Sequence, residues 1–147
     1  SYFTPNPDVS RYKAEGRLEV ILLPQGTLAE SLRAGGAGIP AYYTPTGVGT
    51  ELVKGKEIRV FDGREYVLER AIRGDVALIK AHRADEYGNL TYRMTARNFN
   101  PLMATAADLV IAEVEEIVPV GELNPEEIIT PHLFVDLLVR SAGNSKV

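Results

Sequence analysis

The sequence predicts an α/β fold, and three observations carry the prediction. Two β-branched apolar runs, Asp75-Val76-Ala77-Leu78-Ile79-Lys80-Ala81-His82 and Leu109-Val110-Ile111-Ala112-Glu113-Val114, have the length and composition of core strands. Helical patterns intervene, around Leu28 and Leu32 and in the stretch PLMATAA at 101–107. Between them stands one Asp-Gly pair flanked by alternating apolar residues, the strongest short-range hairpin signal. Strands alternating with short helices, without an internal repeat, give an α/β class and one domain over residues 1–147.

The elements follow in order. Residues 1–16 are polar, punctuated by Pro5, Asn6 and Pro7, and predict a loosely held entry with a helical turn at 9–14. Residues 18–23, Leu-Glu-Val-Ile-Leu-Leu, predict a strand. Residues 22–50 then hold six of the chain's 13 glycines and three of its 9 prolines, which signals tight and closely approached backbone. Within that stretch Thr27-Leu28-Ala29-Glu30 has capping-box spacing, so a helix is expected to open at Thr27 and to stop at Gly35-Gly36 in a left-handed turn. A long Gly/Pro/Tyr loop follows. Lys54-Gly55-Lys56 predicts a solvated turn, and residues 58–61 and 64–68 the hairpin around Asp62-Gly63. The run at 75–82 predicts a strand in a sheet covered on both faces. A turn at 85–89, a returning strand from Leu90 and a helix at 101–107 come next. Then follow the strand at 109–114 and a capped turn at Asn124-Pro125-Glu126-Glu127; over 133–139 the alternation Leu133, Val135, Leu137, Val139 suits a strand, with a helix the open alternative.

Composition narrows the function. A net charge of −4 with scattered Lys and Arg leaves no electrostatic footprint for nucleic acid. The absence of cysteine removes disulfides, thiolate metal sites and a Cys nucleophile. No apolar run approaches the roughly 20 residues of a membrane helix, and the N-terminus has no signal or transit pattern, so a cytoplasmic location is expected.

Few residues stand out for chemistry. The acids at 113, 115, 116, 126 and 127 sit where a solvated face places them. Gln25 is different: it occupies the turn between strand and helix, where open α/β sheets present polar groups to ligands, although a Gln there also serves to satisfy backbone. Gly35-Gly36-Ala37-Gly38 admits backbone amides close to a ligand, or simply stops the helix. It lacks the Lys-Ser/Thr of a phosphate loop. Tyr42, Tyr43 and Thr44 beside it wall a pocket or pack. Lys80 inside an apolar strand pairs with a core acid or reaches an anion at the strand end. His82 and His132 stand 50 positions apart without acids at ligand spacing, which suits structural histidines better than a metal site. Asn98 and Asn100 are expected to brace a loop through side-chain–backbone bonds.

The stretch PQGTLAESLRAGGAGIPAYYTPTGVGT resembles the signature of the α-type subunit of the family I CoA-transferases. The resemblance continues through Ala77-Leu78-Ile79-Lys80-Ala81-His82-Arg83-Ala84-Asp85, Gly88-Asn89-Leu90-Thr91-Tyr92 and Ala96-Arg97-Asn98-Phe99-Asn100 to Thr130-Pro131. It implies an open, largely parallel sheet flanked by helices, with the hairpin as an insertion. It also implies transfer of CoA between an acyl-CoA (succinyl-CoA or acetyl-CoA) and a short acid such as acetoacetate or acetate, CoA being a substrate rather than a permanently bound cofactor. The family's attacking Glu lies on a β-type partner, within a Glu-Asn-Gly motif absent here, so an α2β2 hetero-assembly is expected. Gln25 corresponds to the family's oxyanion donor, and Gly26, Gly35, Gly36, Ala37, Gly38, Tyr43 and Thr44 are the expected substrate- and CoA-binding positions. Ile39-Pro40-Ala41 looks more like the succinyl/acetoacetate branch than the 3-oxoadipate branch. Members of the family carry an earlier Gly-rich loop and an Asn-rich segment, and this chain has no initiator Met, so a fragment or cleavage product is expected. Two other readings stand beside the transferase: a non-catalytic interaction subunit, or a fold-related sugar-phosphate isomerase.

Overall fold

The computed structural model describes residues 6–142; Ser1 to Pro5 of the expected polar entry lie outside the described residues. Helix α1 (Pro7–Ala14) opens on Asn6, whose Oδ1 accepts the Asp8 and Val9 amides at 3.0 and 3.2 Å. It buries no residue, as its polar sequence requires. Residues 17–24 form neither a helix nor a ladder with any described strand, which corrects the strand expected at 18–23. Apolar character alone does not make a strand; a neighbouring backbone must accept its hydrogen bonds, and Ile21 and Leu22 instead lie exposed.

Helix α2 (Gln25–Gly36) begins two residues before the expected start. The Pro24 carbonyl accepts the Leu28 amide at 2.9 Å, closing the first turn around Gln25 and Gly26. Thr27 therefore lies inside the helix and caps nothing, while Glu30 grips Arg33 at 2.6 Å instead of reaching back. The capping-box expectation is corrected accordingly. The left-handed stop also moves, from Gly35-Gly36 to Gly38, which has φ of 72°. The Ile39 amide donates to the Ala34 carbonyl at 2.9 Å and the Gly38 amide to the Gly35 carbonyl at 3.2 Å, the paired bonds of a Schellman motif.

The expected Gly/Pro/Tyr loop contains a strand, β1 (Ala41–Thr44), which joins β2 (Ile58–Phe61) and β3 (Arg64–Arg70) in an antiparallel sheet ordered β1-β3-β2. The hairpin forms as expected: Asp62 and Gly63 have φ of 49° and 76°, placing both turn positions in the left-handed region that matches strand twist. Lys56 is not solvated as expected. Its ammonium sits 2.6 Å from the buried Glu69 carboxylate on β3.

The second sheet carries the core. β4 (Gly74–Asp85), β6 (Ala107–Val118) and β7 (Leu137–Arg140) run parallel, and β5 (Leu90–Thr91) pairs antiparallel with the end of β4, in the order β5-β4-β6-β7. Leu78 stands opposite Ile111, and Ile111 opposite Leu137. One face, with Ala77, Ile79, Ala81, Val110, Ala112 and Val114, is buried under Ala104 and Met103 of α3 (Asn100–Thr105), with Tyr92, Phe134 and Val135. Helix α2 packs on α3 rather than on the sheet. The other face is open among the described residues: Val76 and Leu78 are 51% and 71% exposed, so the apolar run at 75–82 is covered on one side, not two. β7 is shorter than the expected strand at 133–139, because Pro131 starts a 3-10 turn at His132–Phe134 that breaks the alternation. The turn after β4 is built on Asp85, whose carboxylate accepts the Tyr87, Gly88 and Asn89 amides and the Asn89 side chain. Burial pushes its pKa up, but those bonds outweigh it and hold the group below its usual range.

Candidate functional site

Gln25 stands exposed at the start of α2, and no side chain caps that end. The first-turn amides of a helix have no intrahelical partner, so the turn presents donors and the positive end of the helix dipole. Gly26 lies beside Gln25 without any atom near the position a Cβ would take. The expected setting of Gln25, a turn between a strand and a helix, is not found: no described strand precedes α2, and Gln25 is displayed at the helix entry alone.

The two residues open onto a dent of about 270 Å³ walled by Ala29 on the same helix and by Asn98, Phe99 and Leu102 across from it. The opposing wall is held by the asparagines, which act as braces in the expected way. Asn98 Oδ1 accepts the Phe99 amide, and Asn100 Oδ1 accepts the Lys80 amide at 3.1 Å while its Nδ2 donates to the Ala96 carbonyl. Pro101 then sets the first turn of α3, which delivers Leu102 to the dent. Ala29, Phe99 and Leu102 escape a sequence-level search because apolar residues at helical spacing look like core. Their only signal is their place next to braced asparagines.

The other glycines lie elsewhere. Gly35 and Gly36 are at the far end of α2, about 16 Å from Gln25 by helix rise, and their amides belong to the helix. A Cβ on Gly35 would fall on the Ile72 carbonyl oxygen, and one on Gly36 on the Thr105 hydroxyl, both well inside 3.0 Å. Both glycines therefore serve close packing, while Ala37 and Gly38 are in the Schellman turn. Tyr42 ties β1 to α2, its hydroxyl donating to the Thr27 carbonyl at 2.9 Å and meeting Ser31 Oγ at 3.0 Å; burial raises its pKa. Tyr43 donates to Glu57 at 2.6 Å, a bond that raises the phenol's pKa and lowers the carboxyl's, and its ring meets Phe61 edge-on at 5.1 Å. Thr44 Oγ1 accepts the Thr46 amide. None of the three β1 side chains lines the dent beside Gln25.

Lys80 and His82 lie on the open face of the parallel sheet. Lys80 Nζ is 3.6 Å from Glu113 and His82 Nε2 is 3.7 Å from Glu115, which also meets Arg93 at 3.4 Å. His132 faces the Tyr87 ring, and its amide donates to Asn89 Oδ1 at 2.9 Å. Among the described residues no three His, Cys, Asp or Glu side chains gather at metal-binding distance. No described helix is long and apolar enough to cross a membrane.

Known proteins resemble this chain in sequence and in fold. The family model for Coenzyme A transferase matches residues 1–141. The chain is 62% identical over 135 residues to the A-type subunit of the succinyl-CoA:3-ketoacid coenzyme A transferase of Helicobacter pylori (strain J99), covering 92% of this chain and 58% of that one. It is 49% identical over 141 residues to the alpha subunit of the acetate CoA-transferase of Escherichia coli K12, covering 96% and 64%. It thus spans about three-fifths of the length of these curated relatives. The fold matches the crystal structure of an acyl-CoA transferase from E. coli O157:H7 in a thioester complex with CoA, with a TM-score of 0.82 at 24% identity, over 96% of this chain and 31% of that one. The extent of the family match and the identity to these relatives lead to one assignment: the chain belongs to the coenzyme A transferase family.

Proposed function

We propose that this chain is the α-type part of a CoA-transferase that moves CoA between succinyl-CoA or acetyl-CoA and a short 3-oxo acid or fatty acid such as acetoacetate or acetate. A β-type partner, in an α2β2 assembly, contributes the attacking glutamate. That carboxylate adds to the acyl-CoA carbonyl, the thiolate leaves, and a mixed anhydride forms. The CoA thiolate then attacks the glutamyl carbonyl and releases the first acid, leaving a glutamyl-CoA thioester. The second acid repeats the sequence in reverse. CoA enters and leaves as substrate, and the enzyme works in the cytoplasm.

Each addition places negative charge on a carbonyl oxygen. In this reading Gln25 donates a side-chain N–H to that oxygen. A neutral amide suits the task because it carries two donors and does not titrate. The uncapped first turn of α2 adds its dipole in the same direction. The observation that carries the proposal is the exposed Gln25 on the rim of an apolar dent. The neighbourhood of Gly26 supports a substrate atom there, since a Cβ at that position would meet nothing. The positions 35–38 and Tyr43 and Thr44 lie away from this dent; in the proposal they contribute to the fold around the site, and any contact they make is with the CoA arm.

Substituting Gln25→Ala in the enzyme assembled with its partner tests the donor role. Loss of one oxyanion donor lowers turnover roughly 10²–10³-fold, with assembly intact by native mass. Turnover within about twofold of the parent enzyme, against that expectation, overturns it.

A further inference from the structure

We infer that the dent beside Gln25 is an acyl-tail pocket for uncharged short chains, and that Ala29 and Leu102 set the chain length this enzyme accepts. The inference deepens the proposed transferase reading and rests on it for the position of the reacting carbonyl. Its own support is the chemistry of the dent. Of the six lining residues, Gly26, Ala29, Phe99 and Leu102 are apolar, and the polar pair, Gln25 and Asn98, both stand exposed at the rim. Asn98 Oδ1 accepts the Phe99 amide.

Charge decides the ligand class. Among the described residues, no Lys, Arg or His lines the dent. A carboxylate buried there would lose its hydration without a partner, a cost that apolar chain ends do not meet. The acid whose carbonyl rests at Gln25 therefore puts a methyl or alkyl end into the dent. A terminal carboxylate, where the acyl group has one, stays at the open mouth in water.

Size decides the limit. Ala29 lies one helical turn beyond Gln25 on the same face of α2, so its methyl forms the floor that a growing chain would reach. Leu102 closes the dent from α3, and α3 is fixed against α2 through the close Gly36–Thr105 approach. The two walls therefore do not separate easily to admit a longer tail. One methylene in such a pocket discriminates by roughly 10–200-fold in kcat/KM.

The test measures kcat/KM of the assembled enzyme for acetate, propionate, butyrate and succinate as acceptors. Leu102→Ala is expected to raise the butyrate-to-acetate ratio at least about tenfold, and Ala29→Val to lower the same ratio by a similar factor. Ala29→Val fills space from the other wall and loses no packing, so it carries the test if Leu102→Ala loosens α3. Leu102→Arg adds the missing cation and is expected to raise succinate relative to butyrate. If Ala29→Val leaves the butyrate-to-acetate ratio within about twofold of the parent, well short of a methylene's usual effect, the tail lies elsewhere and the inference falls. The outcome is separable from that for Gln25: ratios that move while Gln25→Ala keeps full turnover leave the pocket standing and remove only the oxyanion donor.

Discussion

The two ends of α2 are built from similar residues and do opposite things. At the start, Gln25-Gly26 is uncapped, exposed and unpacked, and it faces a dent. At the end, Gly35-Gly36 is pressed against Ile72 and Thr105 so closely that no side chain fits, and the chain leaves through a fully bonded Schellman turn at Gly38. The same residue type thus leaves open space at one end and makes close contact at the other. The far end is anchored by backbone packing, and the near end carries no side-chain cap. Glycine content signals only that the backbone is approached; whether by ligand or by protein depends on what lies opposite.

The largest effect that can break this comparison is at Gly35. Gly35→Ala gains up to about 1 kcal/mol of helix propensity but sets a Cβ against the Ile72 carbonyl oxygen, closer than any ordinary contact. That carbonyl cannot swing away. The Ile72 amide is bonded to the Ser31 carbonyl at 2.9 Å, and Arg73 reaches the Gly35 carbonyl at 3.0 Å. A net loss of about 3 kcal/mol is expected, the upper end for overpacking, read as a fall in the denaturant midpoint at unchanged slope. Stability equal to the parent's would mean that the junction between α2 and the end of β3 gives way, and the anchored-end account would be wrong.

Gly26→Ala is the matched substitution at the other end. Nothing lies within 4 Å of the added methyl, so the helix-propensity gain survives and stability rises by up to about 1 kcal/mol. The same methyl projects beside Gln25, so turnover of the assembled enzyme is expected to fall even as the midpoint rises. Opposite signs in stability for one substitution at two places on one helix would sharpen the comparison. Matching signs would dissolve it.

How much of this was legible in the sequence follows from range. The hairpin was, because Asp62-Gly63 fixes its own turn geometry. So were β4, β6 and α3, whose patterns are local and strong. Gln25 was visible as a polar group at a helix entry, although the helix begins at Gln25 itself and not at Thr27. The rest depended on partners. Residues 18–23 look like a strand yet find no ladder, and the face of β4 with Val76 and Leu78 finds no cover among the described residues. Lys56 looks solvated until Glu69, 13 positions away, is placed beneath it. The dent needed both α2 and the turn before α3, whose approach is set by the contact of Gly36 with Thr105, a pairing that no spacing rule in either segment announces.

The smallest expected effect lies between the two ends, at Thr27. Its side chain is buried at 3% exposure, and its hydroxyl makes no hydrogen bond among the described residues. The sequence marks this residue as a cap, yet the early helix start leaves it inside the first turn, with its carbonyl engaged by Tyr42 and its hydroxyl idle. An orphaned buried hydroxyl costs free energy that an apolar group of the same shape does not. Thr27→Val keeps the shape and the backbone carbonyl, so it is expected to be neutral or to stabilise by up to about 1 kcal/mol, less a few tenths for the stiffer side chain. Equilibrium unfolding of both forms measures it. A loss above about 1 kcal/mol, the worth of one hydrogen bond, would mean that the hydroxyl has a partner at the bare end of α2 after all, and that this end is less open than its geometry indicates.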